Sequence, residues 1–158
     1  HATIGHVKEG AYKVGRDPSG LEYQAGGAVQ FGEDMEQLIA PRRPGVAFTL
    51  GAMGSAKTNF YNDAYSRGGF EEEAREIQRL WIDGDRDKAA QLVPTELILQ
   101  TNFLGSEAQV TDRVRSYRDA GITVLRVQPE GANAQDRLDT LGRIVDIVRS
   151  LNEDRDEL

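Results

Sequence analysis

Apolar residues recur at helical spacing over most of the chain and at strand spacing in two places. Ile4, Val7, Ala11 and Val14 fall on one face and predict a first helix ending near Gly15, ahead of the turn cluster Asp17-Pro18-Ser19-Gly20. Leu21 to Phe31 follows with Tyr23, Ala25, Val29 and Phe31 in partial alternation, which predicts a strand. Gly26-Gly27 inside it signals a bulge or a close backbone approach. Asp34 suits the cap of a helix running toward Ile39, and Pro41 and Pro44 interrupt or restart it. Val46 to Met53 is short and apolar, ambiguous between a buried helix and a strand. Asn59 to Tyr65 is aromatic and polar. Phe70, Ala74, Ile77, Leu80 and Trp81 then share one helix face. Glu71, Glu72 and Glu73 sit in that helix's first turn, where carboxylates favour the dipole, and Gly84 closes it. Asp85 to Val93 predicts a short helix, and Pro94 opens another through Leu99.

The best-specified segment comes next. Ser106 with Gln109 forms a capping box, Val110, Val114 and Tyr117 make a buried stripe, and Gly121 is the C-terminal stop. Ile122 to Val127 predicts a strand ending at Gln128-Pro129. A last amphipathic helix uses Leu138, Leu141, Ile144, Val145 and Val148, and an acidic tail over 152–158 is expected to fray. Helix, strand, helices, strand, helix is the order of an α/β protein with parallel strands and crossover helices. Two strands cannot bury their own edges, so the pattern reads as part of a larger sheet. The opening residues, helical from the outset and without Met, read the same way.

Composition narrows the classes. The absence of Cys removes disulfides, thiolate metal sites and cysteine nucleophiles together. A formal charge of -7 argues against a nucleic-acid surface, which needs a basic face. No stretch approaches the roughly 20 apolar residues of a membrane span, and the first residues lack a signal peptide's charged and apolar regions. A cytoplasmic protein is expected. Arg155-Asp156-Glu157-Leu158 resembles an ER-retention tail, but without a signal peptide that address has nothing to act on.

Four motifs call for a test. Gly51 to Thr58 is a near P-loop, with Ala56 where the second Gly must let backbone N–H groups close on phosphate. Its Walker-B counterpart, Leu80-Trp81-Ile82-Asp83, fits a helix better than a strand, so an NTPase is rejected and Lys57 reads as a solvated charge. His1 and His6 lack carboxylate or Cys company, so no metal site is expected. Asp83, Asp85 and Asp87 do not make a calcium loop, because the sixth and twelfth places hold Lys88 and Pro94 instead of Gly and Glu. Arg113, Arg115 and Arg118 interleave with Asp112 and Asp119 and read as a solvated helix face.

The run Gly51-Ala52-Met53-Gly54-Ser55-Ala56-Lys57-Thr58-Asn59-Phe60-Tyr61-Asn62 resembles a segment of luciferase-like monooxygenases, especially those using coenzyme F420. Members read roughly as Gly-Gly-Met-Gly, a few charged residues, then Asn-Phe-Tyr-Asn. Three further features agree in order and spacing. Gly15-Arg16-Asp17-Pro18 is similar to the family's turn before its seventh strand, and Phe70 to Trp81 to the helix after Asn-Phe-Tyr-Asn. Leu104-Gly105-Ser106 through Ala120-Gly121-Ile122-Thr123 is similar to the helix leading into the eighth strand. The likeness covers about residues 10 to 150.

The resemblance implies the C-terminal portion of a (β/α)8 TIM barrel, helix-rich, with about two parallel strands (the seventh and eighth) and a helical insertion over 53–100. It implies an oxidoreductase that moves a hydride between coenzyme F420, or alternatively FMN, and a small organic substrate. Barrel function sits at the C-terminal ends of strands, here Gln30-Phe31 and Gln128-Pro129. Met53, Phe60, Tyr61, Asn62 and Gln128 become candidates for the cofactor, and Gln30 and Arg126 for the substrate. Phe60 and Tyr61 either face a flat ring or pack the insertion on the barrel. Arg126 interrupts an apolar strand, so it either pairs with an acid inside the barrel, faces the helices at their edge, or serves substrate binding. No residue here stands out as a general acid or base. The family's catalytic and phosphate-holding residues are expected in the preceding part of the barrel, and the isolated chain is expected to be inactive. The alternative is a non-catalytic half-barrel fragment or interaction module. Its open strand edges would be covered by a second copy or by the missing N-terminal half.

Overall fold

Side-chain caps and turn residues set several of the element boundaries. In chain order the helices and strands are α1 (Ala2–Lys13), β1 (Gln24–Phe31), α2 (Met35–Ile39), α3 (Arg43–Ala52), α4 (Phe60–Tyr65), α5 (Glu71–Ile82), α6 (Arg86–Gln91), α7 (Thr95–Gln100), β2 (Phe103–Gly105), α8 (Glu107–Asp119), β3 (Val124–Pro129) and α9 (Ala134–Asp156). The computed structural model describes residues 2–53 and 59–156. Asp34 Oδ1 accepts from the Glu36 and Gln37 N–H groups at the start of α2. Ser106 and Gln109 form the reciprocal capping box of α8. Gly121, at φ +92°, supplies the left-handed residue after that helix. The chain divides into two compact units, His1–Glu33 with Asn102–Leu158, and Asp34–Thr101.

The first unit holds a three-stranded parallel sheet in the order β2-β1-β3. The strand pattern predicts two strands; β2 is the third. Three residues are too short to show alternation, and its place on the sheet is set by long-range pairing of Val29 with Phe103 through Phe31 with Gly105. β3 pairs along the other edge of β1, from Gln24 opposite Val124 to Val29 opposite Pro129. Val29 and Phe103 pack with Val110 and Val114 of α8 and with Ile144, Ile147 and Leu151 of α9 in one buried cluster. The face predicted for α9 is therefore corrected. Ile144 is buried and Val148 packs against the cluster, but Leu138, at 60% exposure, and Leu141 and Val145 face outward. The helical backbone continues through Asp156; 157 and 158 lie outside the described residues. Of the face predicted for α1, Ala11 is buried while Val7 and Val14 are exposed.

Gly26 decides how closely β1 and β3 can approach. A Cβ there would lie 1.7 Å from the Arg126 carbonyl oxygen. The Gly26-Gly27 pair thus marks a close backbone approach.

The second unit is helical. Val46 to Met53, ambiguous in sequence, is largely α3, which packs against α5 and α6. Leu50, Ile77, Leu80, Val93 and Leu97 are among its buried residues. Arg43 donates to the Val93 carbonyl and reaches Thr95 Oγ1 at 3.2 Å, tying the start of α3 to the α6–α7 turn. Because 46–50 is helix, the strand a P-loop needs is absent there, and Leu80–Ile82 is helix too. Residues 54–58 of the near P-loop, with Lys57, lie outside the described residues, as does His1.

Two glycines of α3 give opposite expectations. A Cβ at Gly51 would meet Trp81 Cβ and Cγ at 2.3 Å, whereas one at Gly45 meets nothing within 4 Å. Gly45→Ala is expected to raise stability by roughly 0.5–1 kcal/mol through helix propensity. Gly51→Ala gains the same propensity but is expected to lose about 1–3 kcal/mol net by overpacking. Urea denaturation of the two variants checks the reversal of sign.

Among the described residues no helix is long and apolar enough to cross a membrane, and no group of His, Asp and Glu is placed to hold a metal ion.

Candidate functional site

In the sheet-bearing unit, alternation along β1 and β3 sorts the candidate residues by face. Leu125 and Val127 pack on the buried cluster, which turns Arg126 and Gln128 to the other face, where both are exposed. Val29 and Phe31 likewise face the helices, so Gln30 shares the face of Gln128. Gln128 stands opposite Ala28, one step diagonal to Gln30, at the C-terminal end of the sheet. The structure thus brings Gln30, Arg126 and Gln128 onto one surface. Among the described residues no carboxylate pairs with Arg126. On the helix side of the same sheet end, the Arg143 guanidinium lies over the Phe31 ring at 3.6 Å and donates to Glu107 at 3.0 Å. Glu130 N–H donates to the Val29 carbonyl, and Gly32 N–H to that of Gly105, fixing the loops that leave the strands.

A cavity of about 660 Å³ lies at the opposite end of this unit. Lys8, Asp17, Tyr23 and Thr123 are among its lining residues, at the N-terminal ends of the strands. In parallel α/β sheets, that end carries stability rather than chemistry.

In the helical unit, the Asn-Phe-Tyr-Asn element splits into two functions. Asn59, 3% exposed, is the buried polar side chain among the described residues. Its Nδ2 donates to the Leu50 carbonyl at 2.7 Å, and its Oδ1 accepts from the Asn62 N–H at 3.1 Å as the cap of α4. Asn62 Nδ2 donates to the Ala74 carbonyl at 2.7 Å and to Leu50 at 3.4 Å. Asn62, a cofactor candidate by resemblance, therefore commits its amide protons to α3 and α5. Asn59 was not among the sequence candidates. The signal available was its type, since Asn immediately before a helical run is a favoured N-cap.

Phe60 and Tyr61 behave differently. Phe60 is 71% exposed and Tyr61 41%, with rings edge to face at 5.6 Å. Met53, at the end of α3, is exposed as well. Burial, and secondarily the neighbouring Tyr61, push the Tyr65 phenol above its ordinary value, so it remains protonated at neutral pH.

The family model described as luciferase-like monooxygenase matches residues 1–124. The chain belongs to that family. The match to luciferase-like proteins takes in β1, the helical unit, β2 and α8, and ends at the first residue of β3. A Mycobacterium tuberculosis strain H37Rv protein named "Putative coenzyme F420-dependent oxidoreductase" is 29% identical over 123 residues, covering 78% of this chain and 35% of the relative. The chain thus spans about a third of that relative's length. No solved structure matches. Membership accounts for the parallel α/β architecture.

Proposed function

We propose that this chain is the C-terminal portion of a (β/α)8 oxidoreductase that moves a hydride between coenzyme F420 and a small organic substrate, with FMN as the alternative cofactor. The observation that carries the proposal is the family match over residues 1–124, joined to a relative named for F420. The chemistry of the residues present supports it in part. A flat ring needs apolar faces and a few edge hydrogen bonds, and Phe60, Tyr61 and Met53 expose such faces on the helical unit. Taken by itself, the sheet-bearing unit carries Gln30, Gln128 and Arg126 on one face at the C-terminal end of the sheet, with Arg126 the candidate for an anionic substrate group. When bound, the cofactor supplies the hydride chemistry; the residues here orient a ring and shield it from water. The reaction belongs to the cytoplasm in this reading.

The outer edges of β2 and β3 and the exposed Leu138, Leu141 and Val145 favour a second requirement. An uncovered edge and apolar helix face call for partner structure, supplied by the rest of the barrel or by a second copy. A non-catalytic interaction module is the reading that remains if that partner is all the chain binds.

Phe60→Ala is expected to weaken F420 or FMN binding by about tenfold, on the ~1–1.5 kcal/mol scale of a single aromatic contact, read by cofactor fluorescence. The 158-residue chain alone is expected to bind without turnover. Unchanged affinity in Phe60→Ala removes this ring from the site, and turnover by the chain alone contradicts its dependence on the rest of a barrel.

A further inference from the structure

Two side-chain amides converge on one backbone carbonyl at the junction of three helices. Asn59 and Asn62 both donate to the Leu50 carbonyl, the first at 2.7 Å and the second at 3.4 Å, and Asn62 also reaches Ala74 at 2.7 Å. The amide of one therefore joins α4 to the end of α3, and the amide of the other joins α4 to α5. Between the two asparagines stand Phe60 and Tyr61, whose rings project outward. A six-residue helix has too few internal hydrogen bonds to hold its own orientation. Its direction is set by what its ends are tied to: at its start the two asparagine amides, and at its far end the π-helical turn Ser66–Phe70 that leads into α5. Ser66 Oγ, at 3.5 Å from Asn62 Oδ1, adds a bond at the far end of the helix.

We infer that Asn59 and Asn62 are positioning residues that fix the direction in which the Phe60–Tyr61 ring pair meets a flat ligand. The inference rests on the ring-binding role given above to Phe60 and Tyr61. Polar groups would ordinarily be costly in a helix junction, and this pair is tolerated because each amide donates to a main-chain carbonyl. The arrangement also explains why the two asparagines flank the aromatics. Removing either donor leaves the rings in place along the chain but loosens the start of the helix that carries them.

The test is a set of dissociation constants for FMN and for F420, measured by fluorescence quenching on the full chain, well below each variant's melting temperature. Asn59→Asp and Asn62→Asp keep size and lose the donor. Each is expected to weaken binding about tenfold, as small misplacements of a binding group do. Ile77→Val in α5, a core substitution that lowers stability with both amides intact, is expected to keep the affinity of the unaltered chain. That control separates positioning from lost stability. Wild-type affinity in both Asp variants, with Phe60→Ala weakened, overturns the positioning role and leaves the ring site standing. Wild-type affinity in Phe60→Ala as well overturns the ring site. No binding by the unaltered chain overturns both.

Discussion

Gly26→Val is expected to separate β1 from β3 and to cost about 3–5 kcal/mol, more than any surface substitution in this chain. The reason is geometric. A side chain at this position would meet the Arg126 carbonyl oxygen at 1.7 Å, its carbon at 2.6 Å and its nitrogen at 2.9 Å. These are backbone atoms of the paired strand and cannot rotate aside. Relief requires the strands to move apart, which loses the ladder from Gln24–Val124 to Val29–Pro129. Val29 and Val127 would then be drawn off the cluster that α8 and α9 cover. Valine is otherwise a good strand residue, so propensity pulls in the opposite direction by less than about 1 kcal/mol. Urea denaturation followed by far-ultraviolet circular dichroism reads the loss. A variant within 1 kcal/mol of the parent would show that β1 and β3 do not approach as described.

The second large effect is expected from Asn59→Asp: about 3 kcal/mol of stability lost at neutral pH, most of it recovered in acid. The substitution replaces the amide that donates to the Leu50 carbonyl by a carboxylate that repels it, at a site only 3% exposed. Burial and the facing carbonyl both disfavour the charged form, so the folded-state pKa of the new carboxyl rises above its unfolded value near ~3.9. The sign follows from linkage. Below the unfolded pKa the group is neutral in both states and the charge penalty is absent. The penalty grows as pH rises through the folded pKa and is complete above it. Melting temperatures of variant and parent should therefore converge as pH falls from 7 toward 4. A difference that stays constant over that range would mean that Asn59 is not confined beside the Leu50 carbonyl.

Local signals in the sequence were strong wherever a short-range rule governs. Ser106 with Gln109, Asp34 before α2, and Gly121 after α8 all mark boundaries that depend on hydrogen bonds two or three residues away. The face of α5 was legible for the same reason, since Ala74, Ile77 and Leu80 repeat at helical spacing and are buried. β2 was not legible, because three residues carry no period and its pairing with β1 spans more than seventy positions. The last helix shows another limit. Leu138, Leu141 and Val145 form one apolar stripe and Ile144, Ile147 and Leu151 a second, about one residue apart around the helix. Periodicity alone does not say which stripe meets the sheet; the position of β1 and β2 decides it.

The candidate site divides along similar lines. The Asn-Phe-Tyr-Asn run was visible as a unit, and the exposure of Phe60 and Tyr61 keeps them available for a ligand. The structural work of Asn59 and Asn62 was hidden, because it depends on carbonyls nine and twelve residues away. Arg126 drew notice as a charge in an apolar strand. Its exposure follows from strand alternation once Leu125 and Val127 are known to face the helices.

The measurement that tests the oxidoreductase reading most directly is a fluorescence titration of the unaltered 158-residue chain with coenzyme F420, repeated with FMN. Saturable binding at one site per chain, lost on Phe60→Ala, is the predicted result. A chain that is folded by circular dichroism and leaves the fluorescence of both cofactors unchanged up to millimolar concentration would contradict it.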